Sequence, residues 1–247
     1  MSSIRKALED ERGYSKLTFS QGDLEVLRGL IREQWLGRIR DIAPDQVKRF
    51  EELPINHYHE LADLIDHRAA WPKLRRILEQ PAVDRIRQLP TFRKLIDEFG
   101  DFTISDEENL GRENVYWRLV RPDSPSDVGP MHADQWFWAL GHGKAPAGVQ
   151  RVKVWIAIYC ETGKSGFRLV SGSHRKDWPY HGEFRDGFTK PVIDVKDDQL
   201  EIQMFDSQPG DAIVFHDKLL HGGAVGGSLS RVSLEFTMFV KNENYFQ

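Results

Sequence analysis

The stretch Val152-Lys153-Val154-Trp155-Ile156-Ala157-Ile158-Tyr159-Cys160 decides the fold class. Val152, Val154, Ile156 and Ile158 alternate with Lys153, Trp155, Ala157 and Tyr159. A period of two gives a strand one apolar face, whereas a helix would scatter those residues around its circumference. Working outward, Val115 through Arg121 shows the same period and stops at Pro122, and further short runs occupy 167–170, 199–205, 212–216 and 231–241. Turn residues separate them at Gly163, Gly166, Gly172, Pro209-Gly210 and Gly222-Gly223. Many short strands punctuated in this way predict a sandwich or jelly roll, not a parallel α/β sheet.

Upstream the period becomes helical. Ser20-Gln21-Gly22-Asp23 fits a capping box, and Leu24, Leu27, Leu30, Ile31, Trp35 and Ile39 follow at helical spacing. Helices are also predicted over 45–53, 59–65, 73–78 and 91–99, the last closed by Gly100. His57, His59 and His67 in this region are read as surface or packing histidines. The expected organisation is one domain, with a mostly helical region 1–113 packed on a β core 114–241. The tail 242–247, NENYFQ, is given no functional weight.

Composition narrows the function. At 247 residues, 40% hydrophobic and 29% charged, the chain reads as an ordinary soluble protein. It has no apolar run of membrane-spanning length and no apolar segment near its N-terminus, so a cytoplasmic location is expected. The single cysteine, Cys160, excludes a disulfide framework and a cysteine-rich metal site. A net charge of −4 argues against nucleic acid as partner. Between Arg112 and Lys176, however, ten Lys and Arg face five Asp and Glu. That local excess suits a small polar or anionic molecule. Oligomeric state leaves no mark in the sequence.

His132-Ala133-Asp134 is weak alone, since nine His and 21 Asp in this chain yield about one H-x-D by chance. On a strand, residues two apart leave the same face. A facial triad for non-haem iron needs two imidazoles and one carboxylate. His221, followed by Gly222-Gly223, is the best third ligand, with His216 the alternative and His174 a loop-fixing residue. Ten residues past His221 come Arg231-Val232-Ser233, whose guanidinium and hydroxyl share a strand face and together could grip a carboxylate.

The ordered set His132-x-Asp134, Trp155-x-Ala157, Gly166 to Gly172-Ser173-His174, Pro209-Gly210-Asp211, Leu220-His221-Gly222 and Arg231-x-Ser233 resembles the phytanoyl-CoA dioxygenase (PhyH)-like family of Fe(II)/2-oxoglutarate oxygenases. The resemblance covers roughly residues 114–240, and the stretch from Gly13 to Trp35 is similar to the family's opening strand and helix. It implies a double-stranded β-helix (a jelly-roll, cupin-like core) preceded by helices. It implies His132, Asp134 and His221 as iron ligands, and Arg231, assisted by Ser233, as anchor of the distal carboxylate of 2-oxoglutarate. Trp155 is a candidate to line the cosubstrate pocket, with core packing the alternative.

The implied reaction consumes O2 and 2-oxoglutarate, releases succinate and CO2, and hydroxylates an unactivated C–H. Asp134 disfavours halogenation, which needs a small residue there. Three departures stand out: Ser171 replaces a common proline, Cys160-Glu161 stands where many members have acidic residues, and Arg121-Pro122 replaces Lys-Pro. Expected substrate contacts are Arg118, Arg121, Trp136 and Arg168, with Trp136 placed on the face of His132 and Asp134 by strand alternation. Two other functions fit the same scaffold: a cupin-like metalloenzyme without 2-oxoglutarate, and a non-catalytic ligand-binding domain.

Overall fold

Strand β4 (Val149–Tyr159) lies at the heart of a six-stranded antiparallel sheet in the computed structural model, which describes residues 3–185 and 187–241. The predicted tail 242–247 lies outside the described residues. The strand order is β1 (Tyr14–Thr18), β9 (Asp211–His216), β4, β11 (Arg231–Lys241) and β2 (Thr103–Ile104). β3 (Tyr116–Val120) pairs with β11 on the β2 side, opposite Arg231–Glu235. A second, three-stranded sheet has the order β10 (His221–Ala224), β5 (Gly166–Leu169), β8 (Gln203–Met204).

Alternation sorts the side chains of the large sheet as the sequence predicts. Val152, Val154, Ile156 and Ile158 join Val214, Leu234, Phe236 and Met238 in a core shared with the helices. On the other face Trp155, Ala157, Ile213 and Phe215 meet Phe167 and Leu169 of the small sheet. Alternation fails at one point. The β4–β11 register slips between Val232 and Ser233, so that Val232 faces Tyr159 while Ser233 faces Ala157. With one extra residue in β4, Tyr159 turns to the helical side, where Arg28 covers its ring at 4.3 Å.

The helical layer is built on α2 (Gln21–Ile42). Its glycines at 22, 29 and 37 each cost about 1 kcal/mol relative to alanine. Burial of Leu24, Leu27, Ile31, Trp35 and Ile39, at about 1.5–3 kcal/mol each, outweighs them. Ser20 caps the helix as predicted, its hydroxyl accepting from the Asp23 N–H at 3.1 Å. Asp23 does not close a capping box. Its carboxylate accepts from the Thr91 N–H at 3.0 Å instead, tying α2 to the first turn of α6 (Pro90–Phe99). Gly100 ends α6 with φ 70°.

The remaining helical expectations are corrected in part. The 45–53 segment is a 3-10 turn, Pro44–Gln46, running into α3 (Val47–Glu52). The segments 59–65 and 73–78 hold only 3-10 turns, Ile55–Glu60, Ala62–Leu64 and Lys73–Arg76. Pieces this short, entered through Pro54 and Pro72, cannot repay α-helix nucleation. Helices α1 (Ile4–Glu9), α4 (His67–Ala70) and α5 (Gln80–Arg87) were not anticipated. Only Gln203–Met204 of the predicted strand 199–205 pairs. The hairpin β6 (Tyr180–Arg185) with β7 (Phe188–Ile193) escaped notice because nearly all of β6 is exposed and shows no alternation. The large sheet also draws β1 and β2 from the first 113 residues, so position 113 does not divide helices from strands. Among the described residues no helix is long and apolar enough to cross a membrane.

Candidate metal centre

His132 and His221 face one another across an isolated antiparallel bridge, each backbone N–H donating to the other's carbonyl at 2.9 Å. This bridge brings two residues 89 positions apart in sequence into one site, with ring centroids 4.4 Å apart. Immediately after His132 the chain leaves the extended conformation and enters α7 (Asp134–Ala139). Asp134 thus reaches the site from the first residue of a helix, not from the strand that the sequence predicted. His132, Asp134 and His221 each offer a ligand atom within 4.8 Å of the others, and they form one group. His216 and His174 are not part of it. His216 accepts from the Lys218 N–H at 3.1 Å, and His174 is buried between Gly13 and His216.

Both imidazoles are preset for a metal. Nδ1 of His132 donates to the Pro130 carbonyl at 2.8 Å, and Nδ1 of His221 donates to the Leu219 carbonyl at 2.9 Å. A proton fixed on Nδ1 leaves the Nε2 lone pair for coordination. Phe167 stacks on the His221 ring at 5.1 Å, and Phe215 meets it edge-on at 4.7 Å, the two phenyl rings themselves 5.1 Å apart. Burial pushes the His221 pKa down to about 4, so the ring stays neutral, the form a metal requires. Asp134 Oδ2 lies 3.4 Å from His221 Nε2, is buried, and has no hydrogen-bond partner. An orphaned carboxylate oxygen facing two free imidazole nitrogens fits a divalent cation of the non-haem iron type.

Sequence reasoning missed Lys153. The residue is 8% exposed, and its ammonium donates to the Thr237 hydroxyl at 3.0 Å and stands 3.6 Å from Asp134 Oδ1. Thr237 in turn donates to Glu107 at 2.8 Å. Burial opposes ionisation of Asp134, yet the Lys153 charge holds its pKa below the ordinary carboxylate value. Oδ1 is therefore committed to Lys153, and Oδ2 is left towards His221. The signal was present in VKVWIAIY: a lysine in an apolar strand, on the face of Trp155.

The predicted carboxylate anchor lies on the same inner face. Arg231 is 2% exposed, its Nη1 donates to the Ser233 hydroxyl at 3.1 Å, and its Nε has no partner. No carboxylate among the described residues pairs with it, and burial pushes its pKa down to about 10. Trp155 sits 6.0 Å from the guanidinium and 5.4 Å from Phe167. Gly223 makes room for this arrangement. A Cβ there would stand 3.0 Å from Arg231 Nη2 and 2.9 Å from Val128 Cγ1.

The four expected substrate contacts separate. Arg118 remains beside the site, half-exposed on the inner face and paired with Glu235 at 2.6 Å. Arg121 grips Asp127 through two bonds of 2.8 and 2.9 Å and fastens the loop before His132, so its guanidinium is already engaged. Arg168 lies on the opposite face of β5 from Phe167 and Leu169, and its Nε donates to the Gly223 carbonyl at 3.0 Å. Trp136, carried by α7, turns to a separate apolar cluster and stacks on Tyr180 at 4.6 Å. The helix at Asp134 overturns the strand alternation that had placed Trp136 with the ligands.

Residues 43–228 match the phytanoyl-CoA dioxygenase (PhyH) family. No curated protein sequence matches the chain. Among solved structures, EvdO2 from Micromonospora carbonacea var. aurantiaca is similar at 14% identity and TM-score 0.59, covering 96% of this chain and 90% of that one. EvdO2 complexed with 2-oxoglutarate is similar at 15% identity and TM-score 0.59, with coverages of 96% and 89%. EctD from S. alaskensis with bound Fe is similar at 14% identity and TM-score 0.55, covering 97% of this chain and 77% of that one. At such identities the likeness is one of fold. The family match extends over most of the chain and includes both histidines and the aspartate, and on that basis the chain belongs to the phytanoyl-CoA dioxygenase family of non-haem iron, 2-oxoglutarate-dependent dioxygenases.

Proposed function

We propose that this protein is a single-domain oxygenase with a double-stranded β-helix core that hydroxylates an unactivated C–H of a small polar metabolite, releasing succinate and CO2. The observation that carries the reading is Arg231: a buried guanidinium with an unpartnered Nε, no carboxylate partner and a hydroxyl beside it, on the face that carries Trp155. A buried unpaired charge is destabilising by several kcal/mol, so the fold retains Arg231 for an anion that arrives from outside. The distal carboxylate of 2-oxoglutarate suits the fork formed with Ser233.

His132, Asp134 and His221 would hold Fe(II), which with 2-oxoglutarate as two-electron reductant supplies activation of O2. The protein's own part is positional. The two Nδ1–carbonyl bonds fix the imidazoles, and Lys153 fixes the carboxylate. Phe167, Phe215 and Trp155 exclude water from the inner wall. The excess of Lys and Arg between 112 and 176 lends little support to an anionic substrate. Arg112, Arg118, Arg121, Arg151 and Lys153 each pair with a carboxylate of the protein itself.

Anaerobic titration with Fe(II) followed by 2-oxoglutarate tests the reading. A weak visible charge-transfer band is expected, and it should be lost in His132→Ala. A folded protein that binds Fe(II) yet gives no band with 2-oxoglutarate would favour a metalloenzyme that does not use this cosubstrate.

A further inference from the structure

Beside the metal ligands the inner face carries an ion pair that the proposed cosubstrate does not use. Arg118 on β3 and Glu235 on β11 meet with both Nε and Nη2 directed to one oxygen, Glu235 Oε1, at 2.7 and 2.6 Å. Arg118 Nη1 and Glu235 Oε2 form no hydrogen bond with any described residue. The Arg118 side chain is 44% exposed and that of Glu235 19%, so the pair lies at the edge of the solvent-accessible space. In the sheet, Arg118 is the cross-strand partner of Ser233, and Glu235 is the partner of Trp155. The pair therefore stands one step from the cosubstrate anchor. Each partner keeps the other charged: Glu235 raises the Arg118 pKa, and against burial Arg118 holds that of Glu235 down, with smaller contributions from Asp134 and Lys153.

The charge balance of this face decides what it can take. Arg118, Arg151 and Lys153 are matched by Glu235, Asp217 and Asp134, whereas among the described residues Arg231 pairs with no carboxylate and Arg76, behind the Arg118–Glu235 pair, is held by the Trp71 and Trp117 carbonyls. Once 2-oxoglutarate occupies Arg231, the pair still offers one donor end, Arg118 Nη1, and one acceptor end, Glu235 Oε2. A ligand bearing both charges would complete the Arg118–Glu235 pair as a four-membered arrangement and leave neither charge desolvated alone.

We propose that Arg118 and Glu235 are the substrate clamp and that the substrate is a zwitterion of the amino-acid type, its carboxylate on Arg118 Nη1 and its ammonium on Glu235 Oε2. This rests on the oxygenase reading above. An aliphatic C–H elsewhere in the bound molecule is then presented to the metal side of the inner face and becomes C–OH. One oxygen atom of O2 enters the product and the other enters succinate, as 2-oxoglutarate loses CO2.

The test begins with the anaerobic Fe(II)/2-oxoglutarate band and continues with succinate release in the presence of the standard free amino acids. At least one amino acid is expected to raise succinate release above the probe-free rate. Its N-acetyl and methyl-ester derivatives, each with one charge removed, should not. Arg118→Gln is expected to raise the KM for that amino acid about tenfold or more, the loss of one charge-assisted contact. The 2-oxoglutarate KM should move less than about twofold, as for a residue outside the cosubstrate site. The paired Arg118→Gln/Glu235→Gln variant, which strands no charge, should repeat the effect if the single variant folds poorly. A band with no response to any amino acid overturns the substrate class while leaving the oxygenase reading intact. Stimulation by carboxylates or phosphate esters alone does the same, as does an Arg118→Gln effect confined to 2-oxoglutarate. Absence of the band removes both.

Discussion

At the scale of single residues, Asp134 carries the site's main physical problem, a buried carboxylate that must keep one oxygen free. Lys153 answers it by engaging Oδ1 at 3.6 Å from within the sheet. Lys153→Met is expected to weaken Fe(II) binding about 10- to 100-fold, the range for loss of a group that orients a metal ligand. Competition with a chromophoric chelator measures it, and unchanged affinity would show that Asp134 is positioned without Lys153. Arg231→Met is expected to act elsewhere. It should raise the 2-oxoglutarate KM by about 10- to 100-fold, for a charge-assisted fork worth roughly 1.5–3 kcal/mol, while iron titrates at wild-type concentrations. A shift in iron affinity alone would contradict the assignment of Arg231 to the cosubstrate.

At the scale of elements, the central strands β4, β9 and β11 were legible from alternation, whereas the exposed hairpin β6–β7 was not and the helices depended on what lay beneath them. In α2 a Cβ at Gly29 or Gly37 would meet nothing within 4 Å. Gly29→Ala and Gly37→Ala are each expected to stabilise the fold by about 0.5–1 kcal/mol, raising Tm by roughly 1–4 °C. Calorimetry checks this, and a lowered Tm would mean that the exposed face of α2 is constrained by something beyond helix propensity. Alternation was legible in Val152–Ile158 because both faces of β4 are buried against different partners, helices on one side and the small sheet on the other. It misled at Tyr159, where the bulge intervenes, and after His132, where a helix begins. Neither a bulge nor a strand-to-helix switch alters hydrophobic periodicity enough to announce itself.

At the scale of the whole molecule, the titrating groups act together. Burial lowers the pKa values of His67, His174 and His221, the last to about 4. The unfolded chain, whose histidines titrate near the ordinary value of about 6.5, therefore binds protons that the fold does not. Stability of the metal-free protein rises with pH through the window from the folded values up to that ordinary value, and it falls as pH drops through the same window. The slope is about 1.4 kcal/mol per pH unit for each proton taken up. Below that window Asp127, Asp134, Asp211 and Glu235, all held below their ordinary values, add loss of the same sign. Urea midpoints that did not fall between pH 7 and pH 5 would contradict this account.

The sequence alone marked out the candidate site residues. His132, Asp134, His221, Arg231 and Ser233 were legible as an ordered set of short motifs that resembles the family's, and the structure brings His132, Asp134 and His221 into one group able to hold a metal ion. It also determined which face of β4 and β11 meets the helices, since that depends on a period of two. Only the tertiary structure decided which charges are free. Arg121, Arg168 and Arg118 look alike in sequence, yet the first is bound to Asp127, the second to a carbonyl, and the third stands beside the metal ligands. A guanidinium's role depends on the partner that the fold brings within about 3 Å, and that partner is set by packing across strands rather than by neighbours in the sequence. Lys153 illustrates the same rule: its place in VKVWIAIY marks it as a lysine in an apolar strand, but only the fold shows that its partners are Thr237 and Asp134.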